Sequence, residues 1–124
     1  MATVVVADSN YQEMEALSLA VSAEGHTVRE ASDGQEAMEI ALREQADLVL
    51  LDVALPVFTG YECASMLRND PDFPRENAII LLSNKDEDVR DVARAGADDC
   101  ENKRTLLPRM REFLSIHLRD RAGA

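Results

Sequence analysis

Five times along the chain, a strand-like segment, at its clearest a short continuous apolar run, gives way to a helix-like one. That alternation constrains the fold more than any other feature. Runs without polar alternation read as strands buried on both faces, and the segments between them must supply the cover. Thr3 to Val6 is the first run and leads through Ala7 to Asp8, and Thr27 to Ala31 reads as a short second strand. Leu48 to Leu51, ending at Asp52, is the strongest strand signal; Ala78 to Leu82 ends at Ser83. A weaker fifth strand after Gly96 and Ala97 leads to Lys103.

Between these runs, Met14, Leu17 and Val21 predict a helix over Tyr11 to Glu24 with Gly25 as its stop. Ser32-Asp33-Gly34 is a turn and cap for a helix with Ala37, Ile40 and Ala41 inward. Pro56 and Gly60 punctuate the next loop, and Cys63, Met66 and Leu67 lie on a helix running toward Arg68. Asp70 to Pro74 is turn-rich, Asp86 to Arg94 a short charged helix ended by Gly96, and Leu106, Met110, Phe113, Leu114 and Leu118 mark the last helix. Pro108 is tolerated in its first turn. The prediction is a doubly wound α/β domain of five parallel strands and five helices, with right-handed crossovers. No repeat, low-complexity segment or internal linker divides it, so residues 1–124 read as one domain.

Composition narrows the function. Hydrophobic residues make up 46% of the chain, enough for one core, yet no stretch approaches the ~20 apolar residues of a membrane span. The first run is short and has no basic flank, which argues against a secretory signal and for a cytoplasmic protein. Cys63 and Cys100 have no metal or redox spacing and read as free thiols. A net charge of −11 argues against this domain gripping nucleic acid, because phosphate contacts need a positive face. The end of the chain is the exception: Lys103, Arg104, Arg109, Arg111, Arg119 and Arg121 outnumber Glu101, Glu112 and Asp120. That is a solvated helix face with cations near its C-terminus, or a dock for an acidic partner.

Open α/β sheets bind ligands at the carboxyl ends of their strands. Asp8, Asp52, Ser83 and Lys103 all fall there, each after a different strand. Any one alone is an ordinary turn residue or cap, and Asp8 would serve as cap for the helix near Tyr11. Together they put two carboxylates, a hydroxyl and an ammonium into one pocket, a set suited to phosphoryl chemistry.

Asp8, the segment Leu50-Leu51-Asp52-Val53-Ala54-Leu55-Pro56, Gly60, Ser83, Gly96-Ala97-Asp98-Asp99 and Lys103 resemble the receiver domain of two-component response regulators. So does Ala31-Ser32-Asp33-Gly34-Gln35-Glu36-Ala37, and the resemblance runs from Val4 to about Leu118. It implies a flavodoxin-like sheet with strand order 2-1-3-4-5. It also implies that Asp52 takes a phosphoryl group from a histidine kinase or phosphotransfer protein. Asp8, Asp52 and the main-chain carbonyl of Ala54 would hold Mg²⁺, and Lys103 would balance charge on the phosphoryl oxygens. Ser83 would bond the phosphoryl group and reshape a surface of the fourth helix, fifth strand and fifth helix, about Asp86 to Arg119. The domain would then catalyse only its own phosphorylation and dephosphorylation, without multiple turnover. Its readout would be an unidentified downstream protein or a segment outside this sequence, with no membrane involved.

Three positions depart from the family pattern. Ala7 stands where an acid that orients a metal water is usual, which should weaken Mg²⁺ binding. Arg104 replaces a cis-proline; a cis bond there would cost about 2.5–4 kcal/mol, so a trans bond is expected. Cys100 replaces the aromatic residue that usually turns with the switch. These departures motivate an alternative, a pseudo-receiver that binds partners independently of phosphate. A Mg²⁺-dependent phosphatase-like enzyme is a third reading, disfavoured because Ala54 lies where a general acid would be sought. Lone His26 and His117 and the helical methionines Met14, Met38, Met66 and Met110 read as packing or surface residues. Asp98 and Asp99 read as turn formers before the fifth strand, and Asn84 and Lys85 as neighbours of the switch serine.

Overall fold

The computed structural model describes residues 1–122, with side chains through Leu118. Five parallel strands, β1 (Thr3–Ala7), β2 (Thr27–Ala31), β3 (Leu48–Asp52), β4 (Ala78–Ser83) and β5 (Asp99–Asn102), form one sheet in the order β2-β1-β3-β4-β5. Helices α1 (Tyr11–Ala23), α2 (Gly34–Glu44), α3 (Gly60–Asn69) and α4 (Val89–Arg94) connect them. After β5 come a short α5 (Lys103–Leu106), a 3₁₀ turn (Leu107–Arg109) and α6 (Met110–Ala122).

The continuous apolar runs are explained by a core on each face of the sheet. Val4, Val6, Leu48, Leu50, Ile80 and Leu82 pack toward Leu17 and Val21 of α1 and Phe113 and Leu118 of α6. The alternate residues Val5, Ala7, Val49, Leu51, Ile79 and Leu81 pack toward Ala41 of α2, Leu67 of α3 and Val92 of α4. Strand β5 escapes this rule because it is an edge strand paired to β4 alone. Its sequence, Asp99-Cys100-Glu101-Asn102, carries little apolar signal, and none of its residues is buried.

Three local expectations change. Helix α4 begins at Val89 rather than Asp86, because Asp88 is its cap and accepts the Arg90 N–H. Asp99 does not belong to the turn before β5 but opens the strand itself. The last helix is broken in its first turns, where Pro108 has no N–H to give and the backbone tightens to 3₁₀ geometry. The peptide bond from Lys103 to Arg104 is trans.

The β3–α3 loop holds Val57 at φ 70°, in the left-handed region. A β-branched residue there is an outlier that costs about 1–2 kcal/mol, and Val57 is largely solvent-exposed. Asn tolerates this conformation, so Val57→Asn should stabilise the domain by about 1 kcal/mol and raise its melting temperature by roughly 3 °C or more. An unchanged or lower melting temperature would show that the loop stores no such strain. The same loop brings Gly60 against the main chain of Asp52 and Val53, where an added Cβ would run into the Asp52 carbonyl.

Candidate functional site

Parallel registry lines up the strand ends. Ala7 pairs with Leu51, Asp52 with Leu82, and Ser83 with Asn102, so Asp8, Asp52, Ser83 and Lys103 all emerge at one edge. Lys103 reaches back into this row. Its Nζ donates to Asp8 Oδ2 at 2.9 Å, Glu13 Oε1 at 3.0 Å and Asp52 Oδ2 at 3.1 Å. Asp8, Asp52 and Lys103 are buried. The second oxygens of the two aspartates are fixed locally, Asp8 Oδ1 by the Asn10 N–H and Asp52 Oδ1 by the Ala54 N–H. Asp8 therefore does not cap α1; Asn10 does, accepting from the Glu13 N–H at 2.9 Å.

Burial and charge oppose each other in this pocket. Burial raises the Asp8 pKa, against the pull of Lys103 and the Asn10 N–H. For Lys103, burial alone would lower the pKa, but hydrogen bonds to Asp8, Glu13 and Asp52 raise it well above the ordinary lysine value. Lys103 is thus a fixed cation facing an excess of carboxylate charge.

Ser83 joins the site from β4, but its hydroxyl points elsewhere. It donates to Glu87 Oε2 at 2.9 Å, while its oxygen accepts the Lys85 N–H at 3.2 Å. The other Glu87 oxygen accepts the hydroxyl of Tyr61, from α3, at 2.6 Å. Burial first, and then this bond to Glu87, raises the Tyr61 pKa. Beside this bridge, half-buried Cys100 helps to line a groove of about 410 Å³ with Val89, Val92 and Ala97.

Glu13, Glu87 and Tyr61 were not singled out by the sequence reading. Glu13 carries a faint signal as an acid in the first turn after a site-bearing strand end, although such an acid ordinarily only complements the helix dipole. Asn84, by contrast, touches Glu13 Oε2 at 3.3 Å. The remaining candidates are structural. Asp98 ties Arg68 of α3 to the Ile79 N–H of β4. His26 accepts the Ala2 N–H, and His117 lies against Phe113. Cys63 and Cys100 are free thiols whose pKa values burial pushes up, to about 12 and about 11. The basic end is largely committed: Lys103 lies inside the site, Arg109 pairs with Glu101 and Arg111 with Glu24. The side chains of Arg119 and Arg121 lie outside the described residues.

Among the described residues, no group of three or more His, Cys, Asp or Glu side chains is arranged to hold a metal ion. Two carboxylates with a main-chain carbonyl and solvent are nevertheless a fitting set for Mg²⁺, which prefers hard oxygen donors and keeps several waters. Among the described residues no helix is long and apolar enough to cross a membrane.

Residues 4–115 match the response regulator receiver domain model, and the chain belongs to that family. The transcriptional regulatory protein AfsQ1 of Streptomyces coelicolor is 34% identical over 86 residues, 68% of this chain and 36% of AfsQ1. The chain thus spans about a third of that relative's length. The signal receiver domain of the response regulator NarL from Mycobacterium tuberculosis matches with a TM-score of 0.78 and 27% identity, covering 94% of this chain and 95% of that one. A third match is the receiver domain of the sensor histidine kinase PA1611 from Pseudomonas aeruginosa PAO1, with a magnesium ion coordinated in its active site cleft. It reaches a TM-score of 0.80 at 23% identity, covering 92% of this chain and 94% of that one, and at that identity the likeness is one of fold.

Proposed function

We propose that this domain accepts a phosphoryl group on Asp52 from a phosphohistidine donor, a histidine kinase or phosphotransfer protein, and relays the event through its surface. The observation that carries the reading is the meeting of Asp8, Asp52 and Lys103 at the strand ends, within 3.1 Å of one ammonium. An Asp52 carboxylate oxygen forms the new O–P bond as the P–N bond to the donor imidazole breaks. The imidazole nitrogen leaves with the electron pair and takes a proton from solvent. Asp8, Asp52 and the Ala54 carbonyl would hold Mg²⁺, whose chemistry when bound is to neutralise charge on the phosphoryl oxygens. A magnesium ion is coordinated in the cleft of the PA1611 receiver domain.

Lys103 supplies a cation that needs no proton uptake and already lies on Asp52. Ser83 has one hydroxyl proton, given to Glu87 in this structure; bonding a phosphoryl oxygen instead would release Glu87. Glu87 precedes α4, so that exchange is a route from the site to the surface of α4, β5 and α6, where a downstream protein would dock. The domain turns over only its own phosphoryl group, and the cytoplasm is its place of action, where kinases make phosphohistidine.

The test is intact mass after incubation with Mg²⁺ and phosphoramidate, beside Asp52→Asn. One phosphoryl group gained by wild type, and none by the variant, is the expected result. No gain by folded wild type that also fails to bind beryllofluoride would overturn the proposal.

A further inference from the structure

Each of the first three helices carries glutamate at its third position, and of these only Glu13 is turned into the site. In α3, Glu62 closes a capping box, accepting the N–H of the cap residue Thr59. In α2, Glu36 accepts the Ser32 N–H beside the cap Asp33. In α1 the N–H of the cap residue Asn10 goes to Asp8 Oδ1. Glu13 is therefore released from local capping. Its Oε1 takes the Lys103 ammonium at 3.0 Å, and its Oε2 accepts from Asn84 Nδ2 at 3.3 Å. Its backbone is fixed in place by its own N–H bond to Asn10.

The position where the family pattern has a further acid is Ala7, whose side chain packs into the core between α2, α3 and the sheet. The site thus has one carboxylate at the end of β1, Asp8, where the family pattern has two, and has another arriving from α1. We propose that Glu13 is a positioning residue that makes good this loss: it holds Lys103 and supplies a third negative charge beside a divalent cation at Asp8 and Asp52. This rests on the cation-dependent reading above.

Two effects act in the same direction. The Glu13 carboxylate attracts a divalent cation across the pocket. It also shares the ammonium, so that Lys103 leans less on the oxygens of Asp8 and Asp52 that the cation must use. Without Glu13, the ammonium would be left, among the described residues, with those two aspartates. Both effects make the cation bind more weakly when the charge is removed.

The experiment measures Mn²⁺ binding to the phosphate-free protein from the loss of the free-ion electron paramagnetic resonance signal. Wild type is compared with Glu13→Gln and with Glu15→Gln, an exposed acid on the same helix that controls for net charge. Glu13 is partly exposed, so its variant should fold with a melting temperature close to wild type in chelator. Glu13→Gln should bind Mn²⁺ about 3- to 10-fold more weakly, as expected for one charge acting through a partly screened pocket. Glu15→Gln should bind as wild type does. Equal affinity in wild type and Glu13→Gln overturns the role of Glu13 and leaves the cation reading standing. Absence of binding to wild type overturns the cation reading, and this inference with it.

Discussion

Lys103→Met is expected to destabilise the domain by about 3 kcal/mol at neutral pH without divalent cations, the lower end of what breaking a buried ion pair costs. The side chain is 5% exposed and its partner Asp8 is 0% exposed, so methionine would fill the space while leaving carboxylates without their cation. The deficit should depend on pH in a defined direction. Burial already raises the Asp8 pKa, and Lys103 is the main influence lowering it. Removing Lys103 pushes that folded-state pKa further above the unfolded value. In that situation the folded state binds the proton more tightly than the unfolded chain does. Relative stability therefore falls as pH rises through the folded-state pKa and recovers as pH drops below it.

A divalent cation supplies another test of the same charge balance. If the variant still binds Mg²⁺, a concentration near 100 times its dissociation constant should restore about 2.7 kcal/mol. Urea unfolding of wild type and variant at several pH values, with and without Mg²⁺, measures all of this. A deficit that is independent of pH and of Mg²⁺ would mean that Lys103 matters through its packing and not through its charge.

The parts of this molecule that were legible in advance are those where burial dictates residue type. Strands β1, β3 and β4 lie under helices on both sides, so Val4 to Val6, Leu48 to Leu51 and Ile79 to Leu82 had to be apolar throughout. Strand ends in an open α/β sheet converge by topology, which made Asp8, Asp52 and Lys103 readable as a group. Strand β5 gave a weak signal because none of its residues, at the edge of the sheet, is buried. Glu13 and Glu87 were opaque for a different reason. Each lies in a position where an acid ordinarily does local work, at a helix N-terminus or in a charged loop. What distinguishes them is the direction of the side chain. That direction follows from which backbone N–H groups are already taken, as Asp8 takes that of Asn10. Tyr61 was hidden likewise, since its hydroxyl meets Glu87 from an element 26 residues away.

The Ser83–Glu87–Tyr61 bridge yields the other large expected effect, a complete loss of signal transfer on removing one carboxylate. A hydrogen bond to a charged group contributes about 1.5–3 kcal/mol, and Glu87 accepts two of them. Moving the Ser83 hydroxyl to a phosphoryl oxygen takes one away and frees Glu87 to reorganise, so Tyr61 should register the loading of Asp52 although it lies on α3. With tyrosine labelled at the ring carbon bearing the hydroxyl, wild type gives two resonances, for Tyr11 and Tyr61. Beryllofluoride with Mg²⁺ should move the Tyr61 resonance and leave that of exposed Tyr11 in place. In Glu87→Ala the Tyr61 resonance should be displaced before any addition and should then fail to respond. Its pKa should fall toward the ordinary tyrosine value while staying above it, because the upward push of burial remains when Glu87 is gone. Ser83→Ala, which removes the same bond to Glu87, should displace the resting Tyr61 resonance toward its loaded position and lose the response. A Tyr61 resonance that stays fixed in wild type while beryllofluoride occupies the site would sink this route, and would leave Cys100 and the groove beside it as the place to look for the change that a partner reads.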